Sequence, residues 1–143
     1  MEEQKKYAEA EAKYREAIRV DPECVDAHIN LGLLLKKLGG NDDEAKASYG
    51  EAIWLDPNCA RAHTVLGSLL STLGKDAEAE ASHREAIRVN PKYANAHWNL
   101  STILEKRGDL DAAIEEARAY IDNGNPDNDG EARLAELRAK KAA

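Results

Sequence analysis

Four histidines and two cysteines are the side chains of this 143-residue chain best suited to bind a metal or to act as acid, base or nucleophile. His28, His63 and His97 fall 35 and 34 residues apart, a spacing that could suggest a row of metal ligands. Zinc, however, needs its ligands within about 2 Å of one ion, and side chains that recur once per structural unit stand too far apart for that. No metal site and no cofactor are expected. The fourth histidine, His83, has no suitable nucleophile placed beside it by spacing, and no Ser/His/Asp, Cys/His or paired-carboxylate constellation stands out. The chain is therefore expected not to be an enzyme. Cys24 and Cys59 occupy equivalent positions of successive units, roughly 10 Å apart in stacked helices and beyond disulfide reach. Both read as small packing residues, which suits a reducing, cytoplasmic setting.

The elements that must carry these residues are set by a period. Prolines fall at 22, 57, 91 and 126, at intervals of 35, 34 and 35, and self-similarity of that length signals a solenoid. Ala27-His28, Ala62-His63 and Ala96-His97 lead into Leu31-Gly32, Leu66-Gly67 and Leu100-Ser101. Leu35, Leu70 and Leu104 follow, and then the breaks Gly39, Gly74 and Gly108. After each break comes Ala45, Ala79 or Ala113, and Glu-Ala-Ile recurs at 16–18, 51–53 and 85–87. Each unit reads as two helices and two turns, with glycine and alanine permitting close approach and leucine filling between.

These spaced positions resemble the tetratricopeptide repeat, whose pattern runs from a bulky residue through Leu-Gly, a mid-repeat Gly and small residues to a closing Pro. The Ala-His-x-Asn-Leu form of residues 27–31 and 96–100 is similar to repeats of O-linked N-acetylglucosamine transferase but is common in the family, so no subfamily is assigned. The resemblance implies an all-α fold, a right-handed superhelical solenoid of antiparallel helix pairs. One domain is expected over 1–143: the second helix of an incomplete repeat at 1–22, complete repeats at 23–57, 58–91 and 92–126, and a capping helix at 127–143. The family's bulky packing position is where the three spaced histidines stand.

The copies are not identical. Residues 39–43 carry one extra turn residue, and Gly50 lies inside a helix at a cost of roughly 1 kcal/mol relative to Ala. His83 replaces the tyrosine of Tyr14 and Tyr49, while Ser101, Ala117 and Tyr120 change the sizes in the last repeat, whose helices should cross differently. The final helix is expected at Glu131–Lys141, with Leu134 and Leu137 on one side. Tyr7, Ala10, Tyr14, Ala17 and Ile18 form the stripe of the first helix, and its uncovered flank predicts weak end-to-end homo-association.

A net charge of −7 and a pI near 5.1 argue against nucleic acid as a partner. The charged N-terminus and the shortness of every apolar run reveal neither a signal peptide nor a membrane span. Charge is unevenly placed: 24–38, 59–73 and 93–107 each come to +1, so they sum to +3 and the remainder carries −10.

By resemblance, the first helices line a concave groove that binds an extended or helical segment of a protein or peptide. Carried over position by position, the groove residues are Asn30, Leu33 and Lys37, with Asp26 and Ile29; Arg61, Thr64 and Ser68, with Val65 and Thr72; and Asn95, Trp98, Asn99, Thr102 and Lys106. Asn30 and Asn99 would give paired contacts to a peptide backbone, and Trp98 a stiff apolar face. The carboxylate clamp of chaperone-binding relatives is absent, because Ile29, Leu33 and Val65 stand at its positions. The basic first helices suggest an acidic peptide, although Lys36, Lys37, Lys106 and Arg107 also suit helix C-termini. Trp54 should face outward, where a second interface could form. Two other expectations stand beside the scaffold: a substrate-selecting fragment of a larger enzyme, and a built or trimmed array without a selected ligand.

Overall fold

Asp21-Pro22, Asp56-Pro57 and Asn90-Pro91 each stop one helix and aim the next, and they do so by one repeated set of bonds. The computed structural model describes residues 1–124 and 128–143, and over those residues its only regular elements are helices. They are α1 (Glu2–Val20), α2 (Val25–Leu38), α3 (Asp42–Leu55), α4 (Ala60–Thr72), α5 (Asp76–Val89), α6 (Ala94–Arg107), α7 (Leu110–Asn123) and α8 (Asn128–Ala142). Asn125, Pro126 and Asp127, which hold the fourth proline and the expected end of the last repeat, lie outside the described residues.

At the turns between repeats, Asp21, Asp56 and Asn90 adopt extended backbone. A proline demands this of the residue before it. Their side-chain oxygens accept the N–H two residues on, from Glu23, Asn58 and Lys92 at 3.1, 3.1 and 3.2 Å. Such a bond replaces a helical one and fixes the turn. Each proline carbonyl then accepts from a histidine six residues later: His28, His63 and His97 reach Pro22, Pro57 and Pro91 at 2.9, 2.8 and 2.7 Å. The three spaced histidines therefore brace turns.

Turns within repeats use the left-handed region instead. Gly39, Gly74 and Gly108 have φ of 75°, 80° and 89°, and the extra residue, Gly40, has 77°. Only glycine takes these values without a Cβ penalty, so the insertion is absorbed by a second glycine.

α2 packs on α3, α4 on α5 and α6 on α7, while α1 packs on α2 and α8 on α7. The result is an all-α solenoid of antiparallel helix pairs ending in a C-terminal helix. Inside each pair one small residue meets one larger one. A Cβ added to Gly32 would collide with the Tyr49 ring, 2.8 Å from its Cδ1, and one added to Gly67 would lie 2.6 Å from His83 Cε1. In the third pair the sizes are exchanged: Ser101 and Ala117 are both buried, and the serine hydroxyl donates to Ala113 O at 2.9 Å. Ala45, Ala79 and Ala113 are wholly buried beside these positions. Gly50, by contrast, has nothing within 4 Å of its absent Cβ and serves no packing purpose.

One boundary and one burial pattern differ from expectation. α8 starts at Asn128, not Glu131, because Gly130 is used inside the helix for close approach: a Cβ there would stand 2.8 Å from Ile121 Cγ1. α1 buries no residue fully; Tyr14 and Ile18 pack on Leu31 and Leu35, whereas Ala17 remains exposed.

His97 differs from its two counterparts in having a second acceptor. Its Nδ1 stands 2.6 Å from Glu116 Oε2 while its Nε2 faces Pro91 O, so both ring nitrogens must donate and the imidazolium is the form that satisfies the site. The carboxylate raises its pKa above the usual 6.5. Because folded His97 holds its proton more tightly than the unfolded chain does, this stabilisation is fully present below about pH 6.5 and is lost as pH rises through the raised folded value. Burial of His83 acts in the opposite sense, pushing its pKa down to about 4, so the fold weakens as pH falls from 6.5 towards 4. Glu116→Ala is expected to reduce stability by about 1 to 2 kcal/mol near pH 6 and by much less near pH 9, measured by urea denaturation. An equal cost at both pH values would show that His97 is uncharged.

Candidate functional site

The first helices of neighbouring repeats also pack on one another, α2 on α4 and α4 on α6, and no comparable packing joins α3, α5 and α7 among the described residues. The first helices thus form the shorter, inner layer of the curve, and their outward side chains share one face. Most of the residues proposed for the groove lie on it. Leu33, Lys37, Asn95, Thr102 and Lys106 are exposed, and Asn30, Arg61, Ser68, Trp98 and Asn99 are half-buried.

Two residues must be withdrawn from that face. Thr64 is only 5% exposed, and its hydroxyl donates to Ala60 O at 2.8 Å, so its hydrogen-bonding proton is spent inside its own helix. Ile29 is wholly buried and packs with Ala52 and Ala62.

The remaining polar residues are tied across repeats at a fixed offset. Arg61 Nη2 donates to Asn30 Oδ1 at 3.2 Å and the guanidinium also stands 3.8 Å from Asp26, while Asn99 Nδ2 donates to Ser68 Oγ at 3.4 Å. Each hydrogen-bonded pair spans 31 residues, one repeat along the array. The asparagines therefore bond neighbouring side chains and keep further donor and acceptor positions open. Lys37 sits over the Tyr7 ring at 5.0 Å, Lys106 pairs with Asp76 at 3.2 Å and Arg107 with Glu80 at 2.5 Å. Second-helix carboxylates thus neutralise the basic end of α6.

Trp98 is less free than its position in the sequence suggests. Its ring meets Tyr120 edge-on at 4.8 Å, and the Arg133 guanidinium of α8 lies 5.3 Å from its centroid. Arg133 also donates to Glu105 at 3.0 Å, and Lys140 donates to the same carboxylate, so α8 is fastened to α6 as well as packed on α7. Those two cations, Lys140 foremost, hold the Glu105 carboxyl below its ordinary range.

Ser68, Thr72, Trp98, Asn99 and Thr102 meet in a recess of about 300 Å³ on this face, together with Lys36, Ser71, Ile103 and His83. Lys36 sits one residue from an expected site residue, and the basic last turn of α2 was its signal. Ser71 and His83 were not anticipated there: His83 belongs to a second helix and reaches the recess only because Gly67 opens the way. A larger recess of about 730 Å³, between α7 and α8, mixes Asp111, Glu115, Arg118, Arg138 and Lys141. Its opposite charges partly answer one another, as in the Lys141–Asp111 pair, and it lies apart from the inner layer. Trp54 is 76% exposed on α3, as expected. Among the described residues, no group of His, Cys, Asp and Glu could hold a metal ion, and no helix is long and apolar enough to cross a membrane.

Family models described as TPR repeat or tetratricopeptide repeat match residues 3–39, 25–59 and 73–128. No curated protein matches the sequence. Among solved structures, a crystal structure of MamA is 23% identical, with a TM-score of 0.81 over 99% of this chain and 82% of that one. The thermophilic TPR protein TTC0263 of Thermus thermophilus is 19% identical, with a TM-score of 0.78 over 90% of this chain and 71% of that one. The first TPR of Spaghetti (RPAP3), bound to the HSP90 peptide SRMEEVD, is 20% identical, with a TM-score of 0.77 over 83% of this chain and 96% of that one. At these identities the likeness is one of fold.

The contacts on the inner face separate structural from spare residues. Asn99→Ala removes a single long bond and is expected to cost under about 1 kcal/mol, whereas Trp98→Ala removes the ring between Tyr120 and Arg133 and should cost about 2 to 3 kcal/mol. Urea denaturation of both variants checks this; equal costs would show that Trp98 does not knit α6 to α7 and α8.

Proposed function

The chain belongs to the tetratricopeptide repeat family, and from that premise we propose that it is a protein-interaction scaffold that receives an extended or helical peptide segment along α2, α4 and α6. The observation that carries this reading is the inner face itself. Leu33, Ser68, Asn95, Asn99 and Thr102 are accessible there, and none is needed to complete a core.

The physical fit is to a backbone as much as to side chains. Asn99 has an unspent amide N–H and its carbonyl oxygen, and Thr72 and Thr102 commit their protons to Ser68 O and Trp98 O, leaving oxygen lone pairs outward. An extended peptide presents alternating N–H and C=O groups that such a row can match. The exposed edge of Trp98 and the Leu33 side chain add apolar area between polar contacts. A solved structure of the same fold holds a short peptide, which supports the reading because an array of similar size there has room for one.

Binding of this kind involves no turnover and requires no cofactor. Selection of a displayed random-peptide library against the protein should enrich related sequences, and a Trp98→Ala, Asn99→Ala double variant, checked for folding by circular dichroism, should lose them. Enrichment indifferent to those substitutions would overturn the groove assignment and direct attention to Trp54.

A further inference from the structure

The recess between α4 and α6 contains groups that backbone recognition leaves unused. Five lysines and arginines lie on the first helices, and four are engaged: Arg61 near Asp26, Lys37 over Tyr7, Lys106 with Asp76 and Arg107 with Glu80. Lys36, half-buried at the end of α2, alone has no acidic or aromatic partner among the described residues, and its side chain lines the recess. Two further donors stand with it. Ser68 Oγ accepts from Asn99, so its own proton is free, and Asn99 keeps its second amide N–H. His83 is 1% exposed, and its Nδ1 has no hydrogen-bond partner. A buried polar nitrogen left unpaired is uncommon enough to need a reason, and here it belongs to a side chain that lines the recess.

We infer that this recess is a subsite for the carboxylate side chain of an aspartate or glutamate in the bound segment, gripped by Lys36, Ser68 and Asn99 with His83 in its wall. The inference rests on the peptide-groove reading and deepens it. An anion is favoured because an unpaired ammonium and two free neutral donors converge on one hollow, while Thr72 and Thr102 have already committed their protons. Ser71 donates to Asp76, at 3.4 Å, and Lys106 answers that carboxylate, so the flank of the site is close to neutral. The subsite differs from the chaperone-tail clamp, whose positions hold Ile29, Leu33 and Val65 here. His83 is uncharged at neutral pH, because burial holds its pKa at about 4; it contributes a hydrogen-bonding ring and no charge.

The test uses three pools of N-acetylated, C-amidated nonapeptides, random except for a central Glu, Gln or Lys, titrated into isotope-labelled protein. Histidine ring resonances are assigned with a His83→Tyr variant, the residue found at the same position in the two preceding units. The Glu pool is expected to bind about fivefold more tightly than the Gln pool, as one partly exposed ion pair allows, and to shift the His83 ring resonances. Lys36→Gln should abolish that preference, so that the Glu and Gln pools bind the variant equally. Equal affinity for the Glu and Gln pools, with binding lost in Trp98→Ala, would overturn the subsite and leave the groove standing. A Glu preference that survives Lys36→Gln would also overturn it, and no binding by any pool would overturn both readings.

Discussion

One contact recurs inside each helix pair and governs the rest: two facing residues, one on each helix, are fitted to one another in size, with at least one of them small. Where the first helix offers Gly32 or Gly67, the second brings Tyr49 or His83 so close that even a methyl group would collide with the ring. Where the first helix offers Ser101, the second brings Ala117, and a serine-to-carbonyl bond occupies the space. The two sizes are coupled within each pair, since interiors at crystal-like density leave no room to add an atom on one side without removing one on the other. Burial also has electrostatic effects: it pushes the Tyr49 hydroxyl up to about 12 and His83 down to about 4.

That constraint reaches the functional face. Close approach within pairs sets where α2, α4 and α6 stand, and the braced proline turns set how one pair follows the next. The inner layer is built from both. His83 shows the link in a single residue, because the ring that completes a core contact on α5 also lines the recess between α4 and α6. The third pair, lacking a ring at that position, places its aromatic residue three positions later at Tyr120, where it supports Trp98 and lies against Gly130 of α8.

Much of this was legible in the sequence, for a physical reason. The prolines, the mid-repeat glycines and the Leu-Gly steps are backbone requirements, and a backbone requirement admits few residue types. The repeat and the helix pairs therefore follow from spacing alone. The histidines show where legibility ends. Their regular spacing excluded a shared metal, but the carbonyl that each one braces, and the carboxylate that singles out His97, depend on side-chain directions that no pattern of residue types conveys. The same holds for Thr64, which matches an exposed position in the repeat yet is turned into the helix by its hydroxyl, and for Lys36, which becomes distinctive only when every neighbouring cation is seen to be paired. Gly130 misled in the other direction: a glycine after Asn-Asp reads as the boundary of a helix, and here it is a contact within one.

The central claim, that the two residues of each pair are selected jointly for size, is tested most directly by giving the second pair the residues of the third. Gly67→Ser alone forces a side chain into the His83 ring, and His83→Ala alone opens a cavity, so each should destabilise by about 1 to 3 kcal/mol. Equilibrium unfolding of both variants and of Gly67→Ser, His83→Ala together measures their coupling. The account predicts that the double variant is more stable than the sum of the single effects by at least about 1.5 kcal/mol. Additive losses would contradict it, and would mean that the glycine and the ring are chosen independently of one another.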